Sequence, residues 1–190
     1  LTIYFDKLNA YAAGLHALPF LVWAARLVMI VVVCLHIFYA IQLKLENNAA
    51  RPVSYKKKKE LESTFPGRNM VWSGAIIGTF LVYHLMHFTF QTIDPASAAR
   101  ANMDAAGRPD VFLMVARGLQ NKRIALFYLL SVAGLWLHLM HGIQSSFQTL
   151  GLNGERSFPF VRKGGWLAAV ALFAAYASIP TVLVIGLVLR

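Results

Sequence analysis

The tetrapeptide His-Leu-Met-His occurs twice in the chain, with His84 and His87 in the first copy and His138 and His141 in the second. Both copies sit inside runs of apolar residues. A neutral imidazole in such a setting can ligate a metal through one ring nitrogen while the other nitrogen makes a hydrogen bond, or it can carry a proton. His36 lies in a third apolar run, so five of the six histidines share this environment. Any one of them alone reads as a hydrogen-bonded core residue. Five together point to a bound group, because ionisable side chains inside a membrane are costly and face a bundle interior or a cavity.

The elements that must position these histidines follow from hydropathy. Hydrophobic residues make up 58% of the chain and charged residues 14%, against roughly a quarter charged in an ordinary soluble domain. Four runs, 20–43, 70–91, 124–143 and 166–189, are each long enough for the about 20 residues that a helix needs to cross a hydrocarbon core. The expected fold class is an all-α integral membrane protein, with residues 1–190 forming a single transmembrane helix bundle. Buried helices of a large soluble protein would keep a polar stripe, and the fourth run has none. The single Cys34 excludes an intrachain disulfide and reads as packing. The first residue is Leu1, and no cleavable signal peptide is recognisable, since the first apolar run is too long and lacks a basic start and a small-residue cleavage site.

The segment before Pro19 is mixed in polarity, and residues 8–17 are expected to form a short interfacial helix; Pro19 suits a first helical turn. The loop from Lys44 to Arg68 carries seven basic residues against three acids, with four of the lysines at 56–59. By the positive-inside rule this loop is cytoplasmic, although the other loops contribute only a weak bias. The net charge of +10 lies mainly in these loops, where orientation and anionic lipid headgroups account for it, and no nucleic-acid module is recognisable. Pro180 is expected to kink the last span. Gly74 and Gly78 offer a small-residue face for close helix contact.

Depth sorts the histidines. From His36 to Lys44 is about 12 Å along a helix, and His138 lies at a similar distance from the same side on a parallel span. Two imidazoles at one depth suit a large planar ligand gripped from both faces. His84, about 21 Å from Met70 on the antiparallel span, belongs to an outer layer. Within each tetrapeptide the histidines are about 60° apart around the helix, so one would coordinate and the other would hydrogen-bond a propionate, a quinone oxygen or a neighbouring ligand. Depth alone allows either histidine of a pair. Diiron sites in helical bundles are rich in carboxylates, and zinc sites combine histidine with cysteine and acids. The spans carry almost no Asp or Glu, which favours haem held by neutral imidazoles.

With these residues in view the chain resembles a known family, the single-chain di-haem cytochrome b membrane anchors of succinate:menaquinone oxidoreductases and quinol:fumarate reductases. The resemblance rests on "LHI" at 35–37, "LENNAARPVSY" at 45–55, "YHLMHF" at 83–88 and "LHLMHGIQSSFQTLG" at 137–151, in that order along nearly the whole chain. It implies five spans, of which the four here correspond to the second to fifth, with the first span and its histidine expected to be absent from this chain. It implies that His36 and His138 ligate the iron of a proximal haem b, and that His84 ligates a distal haem b opposite a histidine not found here. The first histidine of each tetrapeptide is thereby preferred over His87 and His141, which would hydrogen-bond the cofactors. Arg26 is expected to snorkel to headgroups or pair with a propionate.

By the same resemblance the partners are a flavoprotein subunit and an iron–sulfur subunit on the cytoplasmic side of a bacterial inner membrane. They would interconvert succinate and fumarate while this chain carries electrons between them and menaquinone or another quinone, in a complex that could itself oligomerise. Quinone chemistry needs a proton donor on the outer side, for which Asp6, His16 and His87 are the candidates, Asp6 having a plain surface role as its alternative. The "NNAARP" loop and Lys56–Lys59 would either contact the hydrophilic subunits or hold the membrane face. The competing functions are a free-standing membrane cytochrome b serving another acceptor, and a haem-free anchor or transporter using the histidines as a proton relay.

Overall fold

The structure, a computed structural model, describes residues 2–50, 53, 63–152 and 154–186. The lysines at 56–59, part of the "NNAARP" loop and residues 187–189 of the expected fourth span lie outside the described residues. The chain forms two compact units, Leu1–Leu61 and Glu62–Arg190. All regular structure among the described residues is helical apart from one isolated bridge between Met103 and Pro109. Four helices are long and apolar enough to cross a membrane, so the protein is an all-α, multi-pass membrane protein.

The first unit consists of α1 (Thr2–His16) and α2 (Pro19–Ala49). The chain turns between them at Ala17 and Leu18, whose N–H groups donate to Ala13 and Leu15, and Pro19 opens α2 where its missing N–H costs nothing. The short helix expected over 8–17 thus starts earlier in the chain. No residue of α2 is buried. α2 also continues past the expected end at Leu43. Gln42 Nε2 donates to Glu46 Oε1 at 2.8 Å one turn on, across that expected end. Hydropathy marks where the lipid ends, and the helix runs on beyond it.

The second unit begins with a single helical turn, α3 (Phe65–Arg68), capped by Thr64, whose hydroxyl accepts from Gly67 N–H at 3.2 Å. α4 (Met70–His84) follows, and the same axis continues through a π-helical turn, Leu85–Thr89. There Phe90 N–H reaches back to Leu85 O at 2.7 Å, and the helix ends with Gln91 at φ 56°. α6 (Lys122–Thr149) and α7 (Phe158–Val184) complete the unit, each starting before its expected first residue. α6 is opened by the side chain of Asn121, which accepts from Arg123 N–H. It closes with Gly151 at φ 70°, where Gly151 and Leu152 donate to Gln148 and Phe147. That double bond satisfies the last carbonyls, and its left-handed residue favours glycine.

α6 packs along α7 on one side and α4 on the other. Pro180 is buried within α7, and the Ser178 and Thr181 hydroxyls donate to Ala175 and Ala177, on either side of the carbonyl that proline leaves without a donor. Of the two glycines expected to form a close-contact face, Gly74 lies against His138 while Gly78 has open space beside it.

One helix longer than a single turn is absent from the sequence expectation. α5 (Val111–Gln120) lies within what reads as a polar loop, and it buries Met114, Ala116, Gly118 and Leu119 against the spans. Asp110 caps it by accepting from Leu113 N–H at 2.9 Å. The unit's aromatic core gathers at this end, where Ala116, Leu119, Tyr128 and Leu183 are surrounded by Phe80, Tyr83, Phe88, Phe112 and Phe127. Ahead of α5, Asp104 organises the loop. One of its oxygens accepts from the N–H groups of Ala106 and Arg108, both at 2.9 Å, while the other meets the Arg108 guanidinium at 2.7 Å. Asn102 then links this loop to α5 through Arg117 at 2.8 Å.

The donors around Asp104, the Arg108 N–H first, hold its carboxyl below the usual carboxylate value. A depressed value means that its contribution is complete above the unfolded value of about 3.9 and is lost only as pH falls through the lower folded one. Hydrogen exchange of residues 104–108 is therefore expected to stay unchanged from pH 7 to about 5 once corrected for intrinsic rates. The Asp104→Asn variant is expected to exchange faster across that whole range, and equal protection in the two proteins would count against the loop architecture.

Candidate functional site

The second unit holds four of the in-span histidines on two antiparallel helices, and their partners show the register. His141 lies beside Gly67, His138 beside Ser73 and Gly74, and Gly134 beside Ile76. Farther along, Phe80 and His84 meet Tyr128. Ser73 and His84 lie about 16 Å apart along the α4 axis. The second unit alone therefore separates His138 and His84 into two levels.

At the first level the His138 ring is half-buried and held by Ser73. The Ser73 hydroxyl has carbonyls of Asn69 and Met70 at 3.1 Å, to which it donates, and His138 Nδ1 at the same distance. A hydroxyl has one hydrogen. When that hydrogen is on a backbone carbonyl, Ser73 accepts from His138 Nδ1–H and the imidazole lone pair is on Nε2. That is the tautomer a metal-ligating histidine needs, and Ser73 on the next helix is the partner that can select it. A β-carbon at Gly74 would lie 3.6 Å from His138 Cε1, an ordinary contact. His141, one turn away, is packed more tightly: a β-carbon at Gly67 would lie 3.0 Å from two of its ring atoms.

At the second level His84 and His87 share one hydroxyl. Tyr128, 6% exposed, has His87 Nδ1 at 3.0 Å and His84 Nδ1 at 3.5 Å. His84 packs between Phe80 and Phe88 with ring centroids 5.5 Å and 5.7 Å away. His87, carried by the π turn, is 4% exposed and stacks on Phe88 at 4.1 Å. Its other nitrogen lies against Gly118 of α5, where a β-carbon would come within 2.9 Å of Nε2. His87 is thus enclosed by Tyr128, Phe88 and Gly118.

The remaining sequence candidates belong to the first unit. His36 and Arg26 are exposed along α2, the Arg26 guanidinium resting 5.1 Å over the Trp23 ring. Asp6 and His16 are exposed on α1.

The donor set of the second unit is made of neutral imidazoles, with no carboxylate in any of its three spans. Among the described residues no three or more His, Cys, Asp or Glu side chains gather into a metal cluster. A haem iron asks for only two axial imidazoles. His138, an in-span imidazole whose Nδ1 meets Ser73 and whose ring lies beside the small Gly74, has the donor chemistry that demand calls for. Ser73, Tyr128 and Gly118 are absent from the sequence-based site. Their signal was present, because Ser73 and Tyr128 are among the few hydrogen-bonding side chains within otherwise apolar spans. No known protein family matches the chain, and no curated protein or solved structure is significantly similar to it.

Proposed function

We propose that this chain is the di-haem cytochrome b anchor of a membrane succinate:quinone oxidoreductase or quinol:fumarate reductase. In this reading it carries electrons between an iron–sulfur subunit and menaquinone or another quinone. The observation that carries the reading is the Ser73–His138 pair, which orients an intramembrane imidazole for ligation. Two further features support it: His84 stands on a separate level with its own hydrogen-bonding partner, and the four sequence motifs resemble those of the family in order along the chain.

In this assignment His138 and His36 hold the proximal haem, and His84 holds the distal one opposite a histidine from outside the chain as given. Haem supplies reversible one-electron transfer between ferric and ferrous iron when bound. The chain's own residues do the rest. Ser73 selects the His138 tautomer by accepting from Nδ1–H, and Gly74 keeps bulk away from the His138 ring. The aromatic side chains around Tyr128 exclude water from the His84 level. Placing the flavoprotein and iron–sulfur subunits on the cytoplasmic side of a bacterial membrane rests on the basic loop between the first two spans.

The test is to purify the chain in mild detergent from its own membrane. A reduced-minus-oxidised difference spectrum with b-type haem bands, together with co-eluting flavin and iron–sulfur subunits, is the expected result. Haem without those subunits would favour a free-standing cytochrome b. A preparation without haem, from cells with ample haem supply, would refute the proposal.

A further inference from the structure

We infer that Tyr128 is a positioning residue for His84: its hydroxyl accepts the His84 Nδ1–H and donates its own hydrogen to His87 Nδ1. The inference rests on the reading of His84 as an axial ligand. It begins from a count of hydrogens. Two imidazole nitrogens lie within hydrogen-bond distance of one phenol, at 3.0 Å and 3.5 Å, and a phenol can donate only once. At least one of the two nitrogens must therefore be an N–H that donates to the Tyr128 oxygen. If His84 is that donor, its lone pair is left on Nε2 for iron. The hydroxyl hydrogen then goes to the nearer nitrogen, that of His87.

Three features of the fold hold this arrangement. The Tyr128 ring is fixed edge-on by Phe80 at 5.0 Å and by Tyr83 at 6.2 Å, and the surrounding aromatic residues keep water from competing for the hydroxyl. The π turn carries His87 to Tyr128. Gly118 supplies the space that the His87 ring fills. His87 thus has a definite role as the acceptor that orients the tyrosine hydroxyl. A hydroxyl that donates is in turn a better acceptor, so His87 strengthens the hold on His84 without touching iron.

The consequence for a bound haem has a sign. An imidazole that donates through its second nitrogen is a more basic ligand and favours the ferric state. Tyr128→Phe removes the acceptor and is expected to raise the midpoint potential of the haem that His84 ligates. A tenfold shift in the ferric-to-ferrous ratio, about 59 mV for one electron, is the expected size. The low-spin ferric resonance of that haem should move with it, while the other haem stays unchanged.

His87→Leu leaves the hydroxyl and removes only its acceptor, so it should shift the same potential in the same direction by less. Both variants are measured by redox titration and electron paramagnetic resonance on the intact complex, with His84→Ala as the control. If neither variant moves a potential or a resonance while His84→Ala removes a haem, the role of Tyr128 is refuted and the proposed function stands. If His84→Ala leaves both haems in place, the ligand assignment itself fails.

Discussion

On the proposed reading of two haems, each held by two axial imidazoles, replacing His138 by alanine is expected to remove about half of the bound haem. The expected loss is confined to a single component of the redox titration. His138 and His84 stand on separate levels, joined to α4 through Ser73 in one case and facing Tyr128 in the other. Ser73→Ala should act on the same component more gently. It leaves the ligand in place but removes the partner that fixes its tautomer, a change worth roughly 10–100-fold in affinity at comparable sites. Quantitative haem extraction and spectral deconvolution of the two variants would check both expectations. Loss of both components in His138→Ala, with normal membrane insertion, would overturn the separation of the levels.

The second large effect lies at Gly118. A methyl group there would sit 2.9 Å from His87 Nε2 and 3.0 Å from Phe88 Cε1, closer than carbon normally approaches either atom. Both rings are already committed, His87 to Tyr128 and to the face of Phe88. Gly118→Ala is therefore expected to cost about 1–3 kcal/mol, as overpacking does in a filled core. Gly118→Leu should leave little folded protein. Gly142, where the space beside the Cα is open, provides the control: Gly142→Ala removes a flexible residue from α6 and should be neutral or slightly stabilising. Thermal unfolding in detergent would show the contrast, and equal midpoints for the two alanine variants would dispose of this packing argument.

How much of this was legible in the residues differs between the fold and the site. The spans were readable because each apolar run exceeds what any soluble helix needs, and the structure has its long helices in those four places. Their ends were not readable in the same way. Lys44 to Ala49 extend α2 past the apolar run, with Gln42 bonded to Glu46 across the boundary, and α7 begins at Phe158, ahead of the basic pair Arg162 and Lys163. Hydropathy is blind to helix that leaves the lipid. α5 was missed for a related reason, since a ten-residue amphipathic helix between charged turns carries too little apolar length to register as a span. Its cap, Asp110 followed by Val111 and Phe112, was the available signal.

For the site, the histidines are conspicuous as ionisable residues in apolar runs, whereas the residues beside them are marked only as polar side chains in otherwise apolar spans. Ser73 lies on a different helix from His138, far away in the chain, and only the antiparallel register of α4 and α6 brings them together. Tyr128 is a plain core aromatic by sequence, and its importance comes from the two rings that converge on its oxygen. The second histidines of the two tetrapeptides also have different surroundings. His141 meets Gly67 on an ordinary α-helix, whereas His87 is on a π turn and enclosed from three sides.

That π turn has a consequence for how the chain tolerates change in length. A wide turn accommodates one more residue than an α-helix would over the same rise, and it behaves as an insertion absorbed locally. Removing one residue from 85–89 would let the helix close into regular α geometry. Everything up to His84 would stay in register with α6, the chain beyond the turn would keep its place because the extra residue is absorbed locally, and only side chains within the turn, His87 and Phe88 among them, would be re-aimed relative to Tyr128 and Gly118. A single deletion would thus uncouple the two histidines while sparing the helix that carries them.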